Sequence, residues 1–418
     1  MRISTNEFLL GSLNDLLTQE QNVNQLNREI STGESMLTAS SDPGGAGVVI
    51  GLSNQIGTLS YDTANGNAAT QTLQNGVSTL QQVNNLLVQL RQTASAATNA
   101  TATTSDRQAD INSAQSLLQQ IIQLGNTQTA GGSFLFSGTK SNAPAFTTLP
   151  SGQVVFNGDA GINQIEIAPS LNVPSTISGQ QVFMDVPAGA DGIAVSASGG
   201  NAGTAYAVAQ GVTNLSQVTA ASIAGTEYDI TFSASGSSLS YHVTSGHGTP
   251  GSAGYIATSG VVASGAYAVG SSISFGGMTV EVNGTPAAGD SFAVQPGASS
   301  SLFQTIQNLI TALKMPQSGG SQTALAQQAL QNVLANLDSA QTNVLSAQAT
   351  LGSSLAEIQS VQTQTATESA NASTQMSNLQ SASMPAVLAN YSAGVTALQA
   401  AEEAFSKVQN LTLFQYLH

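Results

Sequence analysis

The chain has 418 residues, with 7 Lys+Arg against 22 Asp+Glu for a formal net charge of −15, 41% hydrophobic residues, no Cys and no Trp. That length and apolar content suffice for two or three packed domains, whereas so few cations exclude nucleic acid and anionic membrane surfaces, which are held by clustered Lys and Arg. Absence of Cys removes disulfides, thiolate nucleophiles and the common structural zinc sites together.

The opening MRISTNEFLLGSLNDLL places Asn6, Glu7, Asn14 and Asp15 where a secretory signal needs an unbroken apolar core, so no cleaved signal is expected. No run of 18 apolar residues occurs, and no transmembrane helix is expected. Leu9, Leu16, Val23, Ile30 and Leu37 are seven apart and interleaved with Leu13 and Leu26, the spacing of a helix with one apolar seam. Asp42 then offers a cap for free N–H groups and Pro43 fits the first helical position, where its missing N–H costs nothing. The glycines that follow, Gly45, Gly47 and Gly51, are expected to permit close packing. No proline interrupts the chain between Pro43 and Pro144, as a long helix requires. Its seam continues through Leu73, Leu80 and Leu87, with Val77, Val83 and Leu90. A polar break at 98–108 predicts a helical hairpin, resumed by Ile111, Leu118, Ile121 and Ile122.

Residues 151–297 change grammar. They are rich in Gly and Ser and hold no Lys or Arg. Alternation of Tyr228, Ile230 and Phe232, and of Leu239, Tyr241 and Val243, predicts one hairpin; Ile273, Phe275, the Gly276-Gly277 turn, Met278, Val280 and Val282 predict another. Residues 188–212 and 245–271 give weak strand signals. Beyond this region Leu330, Leu337, Val344, Leu351 and Ile358 repeat every seven residues with Val333, Ala340, Ala347, Ser354 and Val361. That predicts one helix from about 323 to about 381, on the order of 90 Å long at 1.5 Å per residue. A last helix follows Pro385, with Met384, Tyr391, Leu398 and Phe405 on one stripe beside Val387, Ala401 and Val408. The fold class read from this pattern is multidomain α plus β: a long coiled-coil-like helical bundle built from both chain ends, with an inserted mainly antiparallel β domain.

A search for chemistry assigns no catalytic, cofactor-binding or metal-ligating residue, and no enzymatic activity is expected. No Gly-x-Ser-x-Gly elbow occurs. His242 and His247 lack the His-Glu-x-x-His spacing, and Gly45–Gly51 lacks the strand that a dinucleotide loop must follow. Glu402 and Glu403 are helix neighbours that point apart. The informative residues are apolar. Isolated helices of this size are marginal in water, so the stripes must pair with each other, with neighbouring subunits, or with both. The assembly interface is therefore expected at Leu9, Leu13, Leu16, Val23, Leu26, Ile30, Tyr391, Leu398, Phe405 and Val408. The terminal Leu413, Phe414, Tyr416 and Leu417 either fold back on the core or, as the favoured reading, dock into a partner and join that interface, and the ends are expected to be unordered without one.

The segments MRIST at 1–5, STGESMLTASSDPGGAG at 31–47, GGSFLFSGTKSNAPAF at 131–146 and AEEAFSKVQNLTLFQYL at 401–417 resemble the flagellin superfamily, and more closely the flagellar hook-associated protein 3 family. GDSFAVQPGASSSLFQTIQNLITAL at 289–313 is similar to that family's return from the β domain into the helices. Ser41-Asp42-Pro43 departs from the two Asp that commonly precede this Pro in the family. The resemblance covers roughly 1–145 and 300–418. It implies a structural adaptor at the junction between flagellar hook and filament, outside the cell, exported unfolded by the flagellar type III apparatus with a cytoplasmic chaperone. The implied partners are hook-associated protein 1, flagellin and like subunits in a ring. It also implies a layered organisation, with 1–35 and 385–418 in the inner core, 36–150 and 298–384 as a helical rod, and 151–297 facing outward. A filament-forming flagellin, or an adhesin on such a frame, is the alternative.

Overall fold

The computed structural model describes residues 5–35, 42–99, 103–235, 238–247, 256–317 and 319–414. Its helices are α1 (Thr5–Thr32), α2 (Pro43–Ala97), α3 (Thr104–Gly125), α4 (Leu215–Ile223), α5 (Leu302–Lys314), α6 (Gly320–Gln380) and α7 (Met384–Phe414). The chain divides into two compact units, Met1–Ala64 with Ser360–His418, and Asn65–Gln359.

In the first unit α1 packs against α7. α1 stops where Gly33 takes φ 75° and its N–H still reaches Glu29 O at 2.8 Å, a left-handed helix ending that only Gly adopts without strain. α2 begins as its sequence dictates: Asp42 Oδ1 accepts the Gly45 N–H at 3.0 Å, ahead of Pro43 at the first helical position. A Cβ on Gly47 or Gly51 would meet nothing within 4 Å, so neither is there to let an element of this chain approach.

In the second unit the heptad seams close on each other. Leu73, Leu80, Val83, Leu87 and Leu90 of α2 are buried, as are Leu330, Val333, Leu337, Ala340 and Val344 of α6. The two helices run antiparallel, since a Cβ on Gly76 would touch Leu351 while Arg91 pairs with Asp338. α3 opens with a capping box in which Thr103 and Asp106 bond each other's backbone N–H, which fixes where the helical hairpin ends. The 131–146 motif forms an elbow out of these helices. Asn126 brackets Phe146, donating to its O at 2.8 Å and accepting its N–H at 2.9 Å. Phe136, Phe146, Phe183 and Phe303 pack with ring centroids 4.7 to 6.0 Å apart, a large apolar contribution in a chain poor in aromatics.

Around that cluster lie two small hairpins, β1 (Phe146–Thr148) with β2 (Val154–Phe156) and β3 (Gln164–Ala168) with β4 (Leu171–Pro174), then a π-helical turn at Gln180–Met184 and the short β5 (Val186–Pro187). A second core follows, built from β6 (Ile193–Ala197), β7 (Tyr206–Val212), β8 (Glu227–Ser235), β9 (Ser238–His247), β10 (Ile256–Ala266), β11 (Ser271–Phe275), β12 (Met278–Asn283) and β13 (Ser291–Pro296). β14 (Ser299–Ser300) returns to β5. Strands order β10-β9-β8-β13-β6 in one sheet and β11-β12-β7 in the other, and neighbouring strands in both run antiparallel. Ile230, Val243, Val280, Phe292 and Val294 fill the space between them. The β8–β9 pair brings Phe232 opposite Tyr241. The β11–β12 turn places Gly276 at φ 54° and Gly277 at φ 80°, the geometry of the tight hairpin turn that Gly-Gly favours.

Two features of this region differ from the sequence reading. The weakly patterned stretches 188–212 and 245–271 contain β6, β7 and all of β10, because Ala, Ser and Gly supply too little apolar contrast for alternation to show. A helix, α4, also interrupts the strands. It is capped by Asn214, whose side chain accepts the Gln217 N–H, and buries Val218 and Ala221 against the sandwich.

Candidate assembly interface

The apolar seams of the terminal helices meet first within the chain. Gln19 donates to Gly394 O at 3.3 Å, and a Cβ on Gly394 would lie 3.2 Å from Val23 and 3.9 Å from Leu26. Where α1 ends, Ser35 N–H reaches Gln380 O at 2.7 Å and Ala382 N–H reaches Gly33 O at 2.8 Å, closing an antiparallel bridge between Glu34 and Ser381. Position 33 thus faces 382 while 23 faces 394, so α1 and α7 run antiparallel. Leu16, Val23, Leu26 and Ile30 are half-buried, as are Tyr391, Leu398 and Phe405, and Val387 is buried. Over these residues the two helices pair, and each stripe covers the other.

Leu13 does not share that environment. It is 40% exposed and stands with Leu10 at 61% and Leu17 at 47%. At 100° per residue these three lie about 130° around α1 from the seam that meets α7. Leu388 and Met384 are exposed apolar residues on α7. Leu10 and Leu17 escaped the heptad reading. The signal was present as the doublets Leu9-Leu10 and Leu16-Leu17, which put apolar residues on two faces of one helix. Leu9, Val408, Leu413 and Phe414 belong to α1 and α7; Leu37, Tyr416 and Leu417 lie outside the described residues.

Elsewhere the geometry offers little for chemistry. His242 is half-buried on β9, its Nδ1 3.5 Å from Ser233 Oγ. Among the described residues no group of three or more His, Asp or Glu is placed to hold a metal, and no helix is long and apolar enough to cross a membrane. Burial pushes the Asp229 carboxyl up to about 6, and its Oδ1 has no hydrogen-bond partner; it sits within the sheet, opposite Thr244 and Ala293.

Residues 3–141 match the family described as the bacterial flagellin N-terminal helical region. Over 190 residues, 46% of this chain, the sequence is 24% identical to flagellar hook-associated protein 3 of Escherichia coli (strain K12), and the match spans 59% of that relative's length. The crystal structure of flagellar hook associated protein-3 from Legionella pneumophila superposes with a TM-score of 0.70 at 29% identity, covering 78% of this chain and 98% of that one. The flagellar junction protein FlgL from the same organism gives 0.68 at 29% identity, with 80% and 99% covered. Xanthomonas campestris FlgL shares the fold with a TM-score of 0.66 at 23% identity, with 78% and 99% covered. The likenesses, in sequence over the first third of the chain and in fold over most of it, are to the bacterial flagellin superfamily and to its hook-associated protein 3 members.

Proposed function

We propose that this chain is a structural junction piece that joins the flagellar hook to the flagellin filament, with no catalytic step of its own. The observation that carries the reading is the second apolar stripe of α1. Leu10, Leu13 and Leu17 are exposed although their helix is already paired with α7. Burying a Leu contributes about 2 kcal/mol, so the paired ends retain a driving force for association after folding. In this reading residues 1–35 and 385–418 form the inner core of the assembly, 36–150 and 298–384 the rod, and 151–297 the outward face. Hook-associated protein 1 lies on the proximal side, flagellin on the distal side and like subunits around the ring. Leu9, Leu13, Leu16, Val23, Leu26, Ile30, Tyr391, Leu398, Phe405, Val408, Leu413, Phe414, Tyr416 and Leu417 serve the association, some through the α1–α7 pair and some through contacts between chains, and Asp42 with Pro43 fixes the start of α2. Export through the flagellar apparatus with a cytoplasmic chaperone, and a place outside the cell, belong to the same reading.

The test is replacement of Leu10, Leu13 and Leu17 together by Ser in a cell lacking the native copy. The expected result is a secreted, folded chain with unchanged unfolding temperature, hooks without filaments, and flagellin shed into the medium. Filaments of normal length and number in that strain would contradict the assignment of the stripe.

A further inference from the structure

Side chains at 328, 332, 336, 339 and 343 recur every three or four residues on α6 and share one kind of partner. Gln328, 3% exposed, accepts the Ala207 N–H at 2.7 Å and donates to Ala207 O at 2.8 Å. It thereby pairs with β7 as a neighbouring strand would. It also donates to Asn332 Oδ1 at 2.9 Å, while Asn332 donates to Val195 O on β6 at 2.7 Å. Further along, Asn336 accepts the Gly189 N–H at 2.5 Å, Ser339 donates to Gly189 O at 2.7 Å, and Asn343 donates to Gln181 O at 2.7 Å and Val182 O at 3.0 Å. Every partner outside α6 is a main-chain atom. β6 and β7 are each the last strand of their sheet, so these amides occupy edges whose N–H and C=O groups would otherwise lack partners.

We propose that this stripe of α6 is a clamp that reads main chain and fixes the direction of the β6–β13 sandwich on the helices of its unit. Apolar burial is non-directional, and here it is also incomplete. A cleft of about 720 Å³ lined by Arg91, Asp191, Leu334 and Asp338 opens beside the stripe, and one of about 460 Å³ lined by Ala197, Met315 and Leu325 opens along it. A fully paired amide network specifies one arrangement, since sliding by one residue would leave buried Ala207 groups unmatched. Because the clamp grips backbone, side chains of the sandwich can change without loosening it. The inference does not depend on the junction assignment.

The absence of Cys makes the test direct. Ser272→Cys on β11 and Ala349→Cys on α6, both exposed, carry spin labels for pulsed electron paramagnetic resonance. The clamp predicts one narrow distance in the otherwise unaltered chain. With Gln328→Leu and Asn332→Leu added, the distribution should broaden at least twofold while hydrogen-exchange protection of β8 and β13 is retained. Asn336→Ala with Ser339→Ala, at half-buried positions, should broaden it as well, so the test stands even if the first pair of substitutions prevents folding. A distribution as narrow as the unaltered chain's in a folded variant would overturn the clamp.

Discussion

At Gly138 the backbone takes φ 69°, and a Cβ there would overlap the Asp159 carboxylate. That carboxylate accepts the N–H groups of Thr139 at 2.8 Å and Gly161 at 3.0 Å, together with the Thr139 hydroxyl, and these bonds hold its pKa below the usual carboxylate range. The Ser-Gly-Thr of the 131–146 motif is thus a turn wrapped around one acid. Gly138→Ala should cost about 2 kcal/mol, from backbone strain and displacement of Asp159, read as a lowered midpoint in denaturant unfolding; an unchanged midpoint would remove the turn's importance. Asp229 gives a prediction of opposite character. Its carboxyl is raised by burial to about 6 from an ordinary value of 3.8, so the folded state binds the proton more tightly than the unfolded one. Stability from this group is present below about pH 4 and is lost as pH rises through 6. Glu227, on the same face of β8, also has a buried unpartnered oxygen. Asp229→Asn should therefore raise the unfolding temperature at pH 8 and leave it unchanged near pH 4, which calorimetry at the two pH values checks.

Among the elements, those written in strong periods were legible and those written in Ala, Ser and Gly were not. The heptads of α6 run unbroken from Leu330 to Ile358, and the sequence expectation of about 323 to 381 lies close to the observed Gly320–Gln380. β6, with Ile193-Ala-Val-Ser-Ala197, and β10, with Gly, Ser and Ala around the single Val261-Val262 doublet, carry too little contrast, and α4 is too short to show a helical period. The cap at Asp42 was legible because Asp-Pro combines two local signals, whereas the grip of Gln328 on β7 was not, since glutamines abound on these helices and only the fold gives this one its partner. Gly394 also acquires its meaning from the fold. A Gly inside a helix costs about 1 kcal/mol relative to Ala, and here it lets Val23 and Leu26 approach. Gly394→Leu should force α1 from α7 and lower hydrogen-exchange protection of residues 16–30 at least tenfold, with α3 unaffected. Equal protection would show that the close approach is dispensable.

For the whole molecule, composition argues against partners held by clustered cations, periodicity marks the helical ends and the insertion, and four short segments carry the resemblance. The candidate interface was only half readable. Heptad spacing marks the seam that α1 and α7 use on each other, while the exposed stripe at Leu10, Leu13 and Leu17 emerges once that seam is seen to be occupied. The central claim is a place, and immunogold electron microscopy of intact flagella tests it most directly, with an antibody raised against residues 151–297. A single labelled band where hook meets filament is the predicted result. Label along the whole filament would make the chain a flagellin, and label confined to the cell surface or the medium would contradict the junction role.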